Sequence, residues 1–211
     1  LLSECVDRLV AGQCPPPLEL DVIEAVRKSK SKPLAERIDQ WRKSRPTTDE
    51  DVVGAHRELL YGGDPIAGRR VFEDQKSMCV KCHTIAGQGG IVGPDLASVG
   101  AIRTREQILE SLLAPNREIV PEYRTVVLFT ADDSYVGRPI RETDEEIVLL
   151  DAEGNEIVVY KDEIEARREG LSAMPENVTQ ELSPREIRDL VAFLAEQKAP
   201  TTRPAAAHGA K

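Results

Sequence analysis

Apolar residues recur at helical spacing from the first position. Leu1, Leu2, Cys5, Val6, Leu9 and Val10 predict a helix that Gly12 and the run Pro15-Pro16-Pro17 bring to a stop. A second stripe runs through Val22, Ile23 and Val26. A third, Leu34, Ile38 and Trp41, follows Pro33, a residue suited to the first turn of a helix. Thr48 is the expected cap of a further helix with Val52, Val53, His56, Leu59 and Leu60 on one side, closed by Gly62-Gly63. Short helices broken by turns read as one or two helical-repeat units, which need neighbours to bury their faces. Residues 1–60 are therefore expected to form a helical extension, with 1–45 as the trailing edge of a longer array.

From Asp64 the punctuation is sharper. Asp64 as cap and Pro65 at the first position open a helix bearing Gly68, Val71 and Phe72, and a Gly-rich loop ends at Gly93-Pro94-Asp95-Leu96. Thr104 and Gln107 have capping-box spacing ahead of Ile108, Leu109, Leu112 and Leu113, and Pro115 ends that helix. Residues 121–166 change character: 123–130, 134–141, 145–150 and 156–161 are β-rich runs between Asp, Gly and Asn clusters. They predict a four-stranded antiparallel meander, with a short fifth strand near Ile164. A last helix starts at the capping box Ser183-Pro184-Arg185-Glu186 and carries Ile187, Leu190, Val191, Phe193 and Leu194. The expected fold is mainly α, with the helical extension at 1–60, a second domain at 61–200 and a disordered Ala/Pro/Thr-rich tail at 201–211.

Composition narrows the function. Hydrophobic residues are 40% and charged residues 31% of the 211, enough for a core. Lys and Arg number 28 against 37 Asp and Glu, a net charge of −9 that argues against nucleic acid as a partner. Eight basic and two acidic residues between Arg27 and Arg45 give that stretch a local +6, read as a solvated helix face. The longest uncharged apolar runs, VVLF at 126–129 and IVLL at 147–150, fall far short of the roughly 20 residues of a spanning helix, so no membrane insertion is expected. The chain opens at Leu1 without a charged-then-apolar leader, so any export signal is expected to have been removed or to lie outside this stretch.

The chemistry sits at Cys79-Val80-Lys81-Cys82-His83, the spacing of a c-type haem attachment site. Two thiols three residues apart can each form a thioether with one of the two vinyl groups, and the adjacent imidazole then becomes the proximal iron ligand. A redox dithiol would usually follow a strand in a βαβ pattern, which is missing. A zinc site needs four ligands, and the remaining Cys5, Cys14, His56 and His208 are all distant in sequence.

Those surroundings resemble the class I cytochrome c family over residues 64–198. The helix with Gly68 and Phe72 is similar to that family's first helix, and Ser183–Gln197 to the last helix, which crosses it. Gly93-Pro94-Asp95-Leu96 resembles the proximal loop, whose Pro carbonyl accepts a hydrogen bond from the haem histidine; the resemblance gives Pro94 that role toward His83. Leu171-Ser172-Ala173-Met174-Pro175 resembles the loop that carries the distal ligand. His83 and Met174 lie 91 positions apart, long for a compact member, and the β-rich stretch supplies the excess. That interrupted pattern resembles a narrower group, the haem-binding domains of planctomycete and verrucomicrobial proteins, where helical repeats or a sugar-dehydrogenase-like propeller often precede the haem domain.

The resemblance implies one covalently bound haem c, with His83 and Met174 as iron ligands. Met78 precedes the motif on the wrong side for the distal face, and His56 and His208 are weaker substitutes for Met174. Arg103, with Arg105, is a candidate for the haem propionates. His/Met ligation leaves no open position, which points to a single-electron carrier rather than an enzyme. Its expected partners are a redox enzyme, separate or fused as a dehydrogenase domain, and a downstream acceptor, in the periplasm or another exported compartment. A haem-based gas or ligand sensor with a labile distal site, and a peroxidase-like enzyme, are the alternatives. Cys5 and Cys14 could pair in an oxidising compartment only if their helix ends before Cys14, since nine residues of helix span about 13.5 Å.

Overall fold

A computed structural model describes residues 1–45 and 51–199. Thr48, the tail at 201–211 and His208 lie outside them. Three helices open the chain: α1 (Leu2–Val10), α2 (Glu19–Ser29) and α3 (Lys32–Ser44). Gly12, at φ +69°, takes the left-handed turn that stops α1. These helices bury Val6, Leu9, Cys14, Val26, Ile38 and Trp41 against one another. Cys5 and Cys14 are free thiols. A short α4 (Val52–Ala55) is capped by Asp51, whose carboxylate accepts from the Gly54 amide, and a 3-10 turn at Arg57–Leu59 follows.

α5 (Pro65–Glu73) has the expected Asp64 cap and Pro65 at its start. The attachment motif forms one helical turn, α6 (Cys79–Cys82), followed by a two-residue hairpin, β1 (Thr84–Ile85) and β2 (Gln88–Gly89), and by α7 (Val99–Ile102) and α8 (Arg105–Leu113). The capping box of α8 has both its bonds. Four strands then run as an antiparallel meander: β3 (Val126–Phe129), β4 (Ser134–Glu142), β5 (Glu146–Leu150) and β6 (Glu156–Tyr160). The fifth strand, β7 (Ala166–Glu169), does not extend it. It pairs with β3 on the other side, Val127 opposite Arg168, giving the order β6-β5-β4-β3-β7. Val126, Leu128, Ile147, Leu149 and Val159 form the buried face of this sheet. Tyr123, expected in the first strand, lies instead in a 3-10 turn at Pro121–Tyr123, because Pro121 fixes φ for a tight turn.

The last helix, α9 (Pro184–Glu196), has both bonds of its capping box and crosses α5. At the crossing Gly68 meets the Asp189 backbone, and the Phe72 and Phe193 rings lie 5.8 Å apart, tilted by 51°. Ile108, Leu109, Leu112, Leu190, Val191 and Leu194 complete the main core. Leu20 of α2 and Leu59 and Leu60 belong to the same cluster, so the apolar core runs across position 60. Ion pairs reinforce that junction: Glu19 with Arg57, Asp21 with Arg185 and Arg188, and Glu24 with Arg185. Among the described residues no helix is long and apolar enough to cross a membrane.

Candidate functional site

The site is built on one turn of helix. Positions three apart share a helix face, so α6 brings the thiols of Cys79 and Cys82 to one side. Met78, exposed and at φ +58°, turns the chain into α6 through the left-handed region. The motif follows a helix, not the strand that a redox dithiol would require. Burial pushes both thiols above their ordinary pKa; at Cys82 the Lys81 charge opposes the shift and Glu153, in the β5–β6 turn, adds to it. Among the described residues no group of three or more His, Cys, Asp or Glu gathers into a metal site, as zinc would need.

His83 closes α6, its amide bonded to the Cys79 carbonyl at 2.9 Å. The loop beyond folds back over the motif: Gly90 N donates to Val80 O at 2.9 Å, Gly93 N to Cys82 O at 2.8 Å, and Leu96 N to Thr84 O at 2.9 Å. This return delivers the Pro94 carbonyl to 3.0 Å from His83 Nδ1. A carbonyl only accepts, so Nδ1 carries the proton and Nε2 keeps its lone pair. Burial holds the imidazole pKa below its ordinary value, with the Pro94 bond opposing. A neutral, oriented imidazole is the protonation state that a metal requires. Gly93 lies against the ring: a Cβ there would sit 2.6 Å from His83 Cε1 and 2.7 Å from Nδ1. The position admits no side chain while the ring keeps this orientation.

Met174 lies half-buried on the 170–176 loop, its amide donating to Ser172 Oγ at 3.1 Å. Met174 and Cys79 both pack against the core built by α5, α8 and α9, as do Val80, Leu96 and Leu113. An open pocket of about 440 Å³ lies beside the thioether, lined among others by Asn116, Ser172 and Gln180. Two thiols on one helical turn, an imidazole oriented through Nδ1 and a thioether packed against the same core fit covalently held haem.

The Arg103 guanidinium pairs with Glu118, two N–O distances being 2.8 Å. Arg105 donates to the Leu60 carbonyl at 2.8 Å. His56 is exposed, with Nδ1 2.9 Å from Val52 O. The sheet contributes contacts that no motif announced. Arg138 of β4 donates to Ile91 O at 3.1 Å in the loop leading to Pro94 and stacks 4.9 Å from the Tyr123 ring. At the loop that carries Met174, Thr125 Oγ1 donates to Leu171 O at 2.5 Å, and Asn116 Oδ1 accepts from Ser172 N at 2.7 Å.

No curated protein matches the chain. Residues 66–128 match the family model for Cytochrome c, a span that holds the attachment motif and Pro94 and ends before Met174. The chain carries a c-type cytochrome domain, with the covalently bound haem c that this family implies.

Proposed function

We propose that this chain is a monohaem c-type cytochrome module that passes single electrons between a redox enzyme, separate or fused as a dehydrogenase domain, and a downstream acceptor. When bound, haem c supplies a one-electron iron couple. Cys79 and Cys82 would hold it by two thioethers. His83 would be the proximal ligand through Nε2, with Pro94 fixing its tautomer and raising its basicity, and Met174 would be the distal ligand. A soft thioether would favour the reduced ion, and apolar surroundings would strengthen that preference. Arg103 is reserved for a propionate, a role for which it would have to leave Glu118.

The observation that carries this reading is the 3.0 Å bond from His83 to the Pro94 carbonyl beside two thiols on one helical turn. The sheet is read as an interruption between the proximal and distal halves of the cytochrome fold, as in the planctomycete and verrucomicrobial group. The N-terminal helices are read as the end of a repeat array. Thioether attachment is carried out on exported proteins, so the module belongs in the periplasm or an equivalent compartment.

The pocket beside Met174 favours one second reading, a ligand sensor whose distal thioether yields to a small gas. Carbon monoxide separates the two. An electron carrier with stable His/Met ligation binds it slowly when reduced, shows the weak near-infrared sulfur-to-iron band when oxidised, and gains fast binding in Met174→Ala. Fast binding by the unaltered protein, unchanged in that variant, refutes Met174 ligation.

A further inference from the structure

The 170–176 loop lies beyond the 66–128 span and has little regular structure of its own. Its long-range hydrogen bonds come from a segment 45 or more residues earlier in the chain. Thr125 tethers the entrance: its carbonyl accepts from Gly170 N at 2.9 Å and its hydroxyl donates to Leu171 O. Gly170 has no side chain because a Cβ there would overlap Thr125 Oγ1. Asn116, three residues beyond the end of α8 at Leu113, holds the rest. Its Oδ1 accepts from Ser172 N at 2.7 Å and its Nδ2 donates to Glu176 Oε1 at 2.6 Å. One side-chain amide thus bonds the loop two residues before Met174 and two residues after it.

We infer that Asn116 is a positioning residue, a clasp that sets the height and orientation at which the loop presents Met174. The inference rests on the distal-ligand reading of Met174 and adds the group that makes this ligation stable. An amide is suited to the task because it is acceptor and donor at once. A backbone N–H needs the first and a carboxylate the second. The bond to Glu176 is charge-assisted and short, so it resists loop opening more than a neutral pair would. The clasp also explains why a ligand on an irregular loop can hold its place beside an open pocket: the pocket is lined by the clasp itself.

The test uses four variants of the mature holoprotein and two readouts. Asn116→Ala removes both bonds; Asn116→Asp keeps the acceptor for Ser172 N but sets a carboxylate against Glu176. Glu176→Gln retains a neutral bond. Asn116→Asp with Glu176→Gln restores both contacts with the polarity of the second reversed. Backbone hydrogen exchange across 171–176 should quicken about tenfold or more in Asn116→Ala and Asn116→Asp. It should quicken only slightly in Glu176→Gln, which keeps a neutral bond, and recover to that level in the double variant, with α9 unchanged throughout. Carbon monoxide binding to the reduced protein should follow the same order. Unchanged exchange in Asn116→Ala, or no recovery in the double variant, overturns the clasp. Exchange that follows this order while carbon monoxide binding ignores both Asn116 and Met174 keeps the clasp and refutes the ligand reading instead. Should Asn116→Ala fail to fold, Asn116→Asp and its recovery carry the same decision.

Discussion

Gly68→Ala tests whether the α5–α9 crossing sets the frame of the site. In an exposed helix this change would add about 1 kcal/mol of stability, since glycine is the poorer helix former by that amount. Here a new Cβ would overlap the Asp189 carbonyl and lie 2.8 Å from Phe193 Cβ. The obstacle is backbone on one side, so no rotamer change relieves it, and the helices must separate. Overpacking of this kind costs about 1–3 kcal/mol or more, and parting the Phe72 and Phe193 rings forfeits about another 0.5–1.5. Set against the propensity gain, the net loss is about 2 kcal/mol. For a chain of this length that lowers Tm by roughly 4–8 °C. Circular dichroism melts of the holoprotein, with the Soret band followed in parallel, give the number. An unchanged or higher Tm would mean that the helices do not cross as closely as described, and the packing argument would fail.

Three further outcomes follow from the same geometry. Gly93→Ala should turn the His83 ring off the Pro94 carbonyl and cut the yield of covalently attached haem about tenfold or more, read by haem staining against total protein; an unchanged yield would show that the close approach does not matter. Asp21→Asn should cost about 1–2 kcal/mol in denaturant unfolding, because Arg188 is almost fully buried, its Nε has no partner, and Asp21, at 3.0 Å, is its main one. An effect no larger than that of Arg185→Ala on the surface would count against it. Glu186 has its pKa lowered by the Ser183 amide and hydroxyl and by Lys76. Its contribution is therefore present above the unfolded value, near 4.5, and lost as pH falls through the depressed folded one. The stability advantage over Glu186→Gln should shrink to nothing in that window, and an advantage independent of pH would contradict the assignment.

The parts legible in the sequence are those whose cause is local. Capping boxes at Thr104 and Ser183, the cap and proline at Asp64-Pro65, and the β-rich apolar run at 126–129 depend on residues a few positions apart, and the elements form where these signals lie. The attachment motif is legible for the same reason, its chemistry being fixed by a spacing of three. β7 is harder, because Ala166–Glu169 is exposed throughout and shows no alternation; its pairing with β3, some 40 positions earlier, is a tertiary matter. The same applies to Leu20, Leu59 and Leu60, whose place in the main core depends on how α2 docks. The hairpin β1–β2 was hidden in a Gly-rich loop, since two residues a strand carry no period. Asn116, beside Pro115, looks like part of a helix stop, and only the fold shows that its amide faces a loop 56 positions later.

The central claim is that Cys79 and Cys82 hold a haem whose iron is bound by His83. Intact-mass spectrometry of the chain, expressed with an export signal in a host that matures c-type cytochromes, tests it directly. The account predicts a mass raised by one haem per chain that survives acid-acetone extraction, with only one thioether possible in Cys79→Ala or Cys82→Ala and no attachment when both are replaced. An unmodified mass after native maturation, or haem that extracts freely from the unaltered protein, would contradict it.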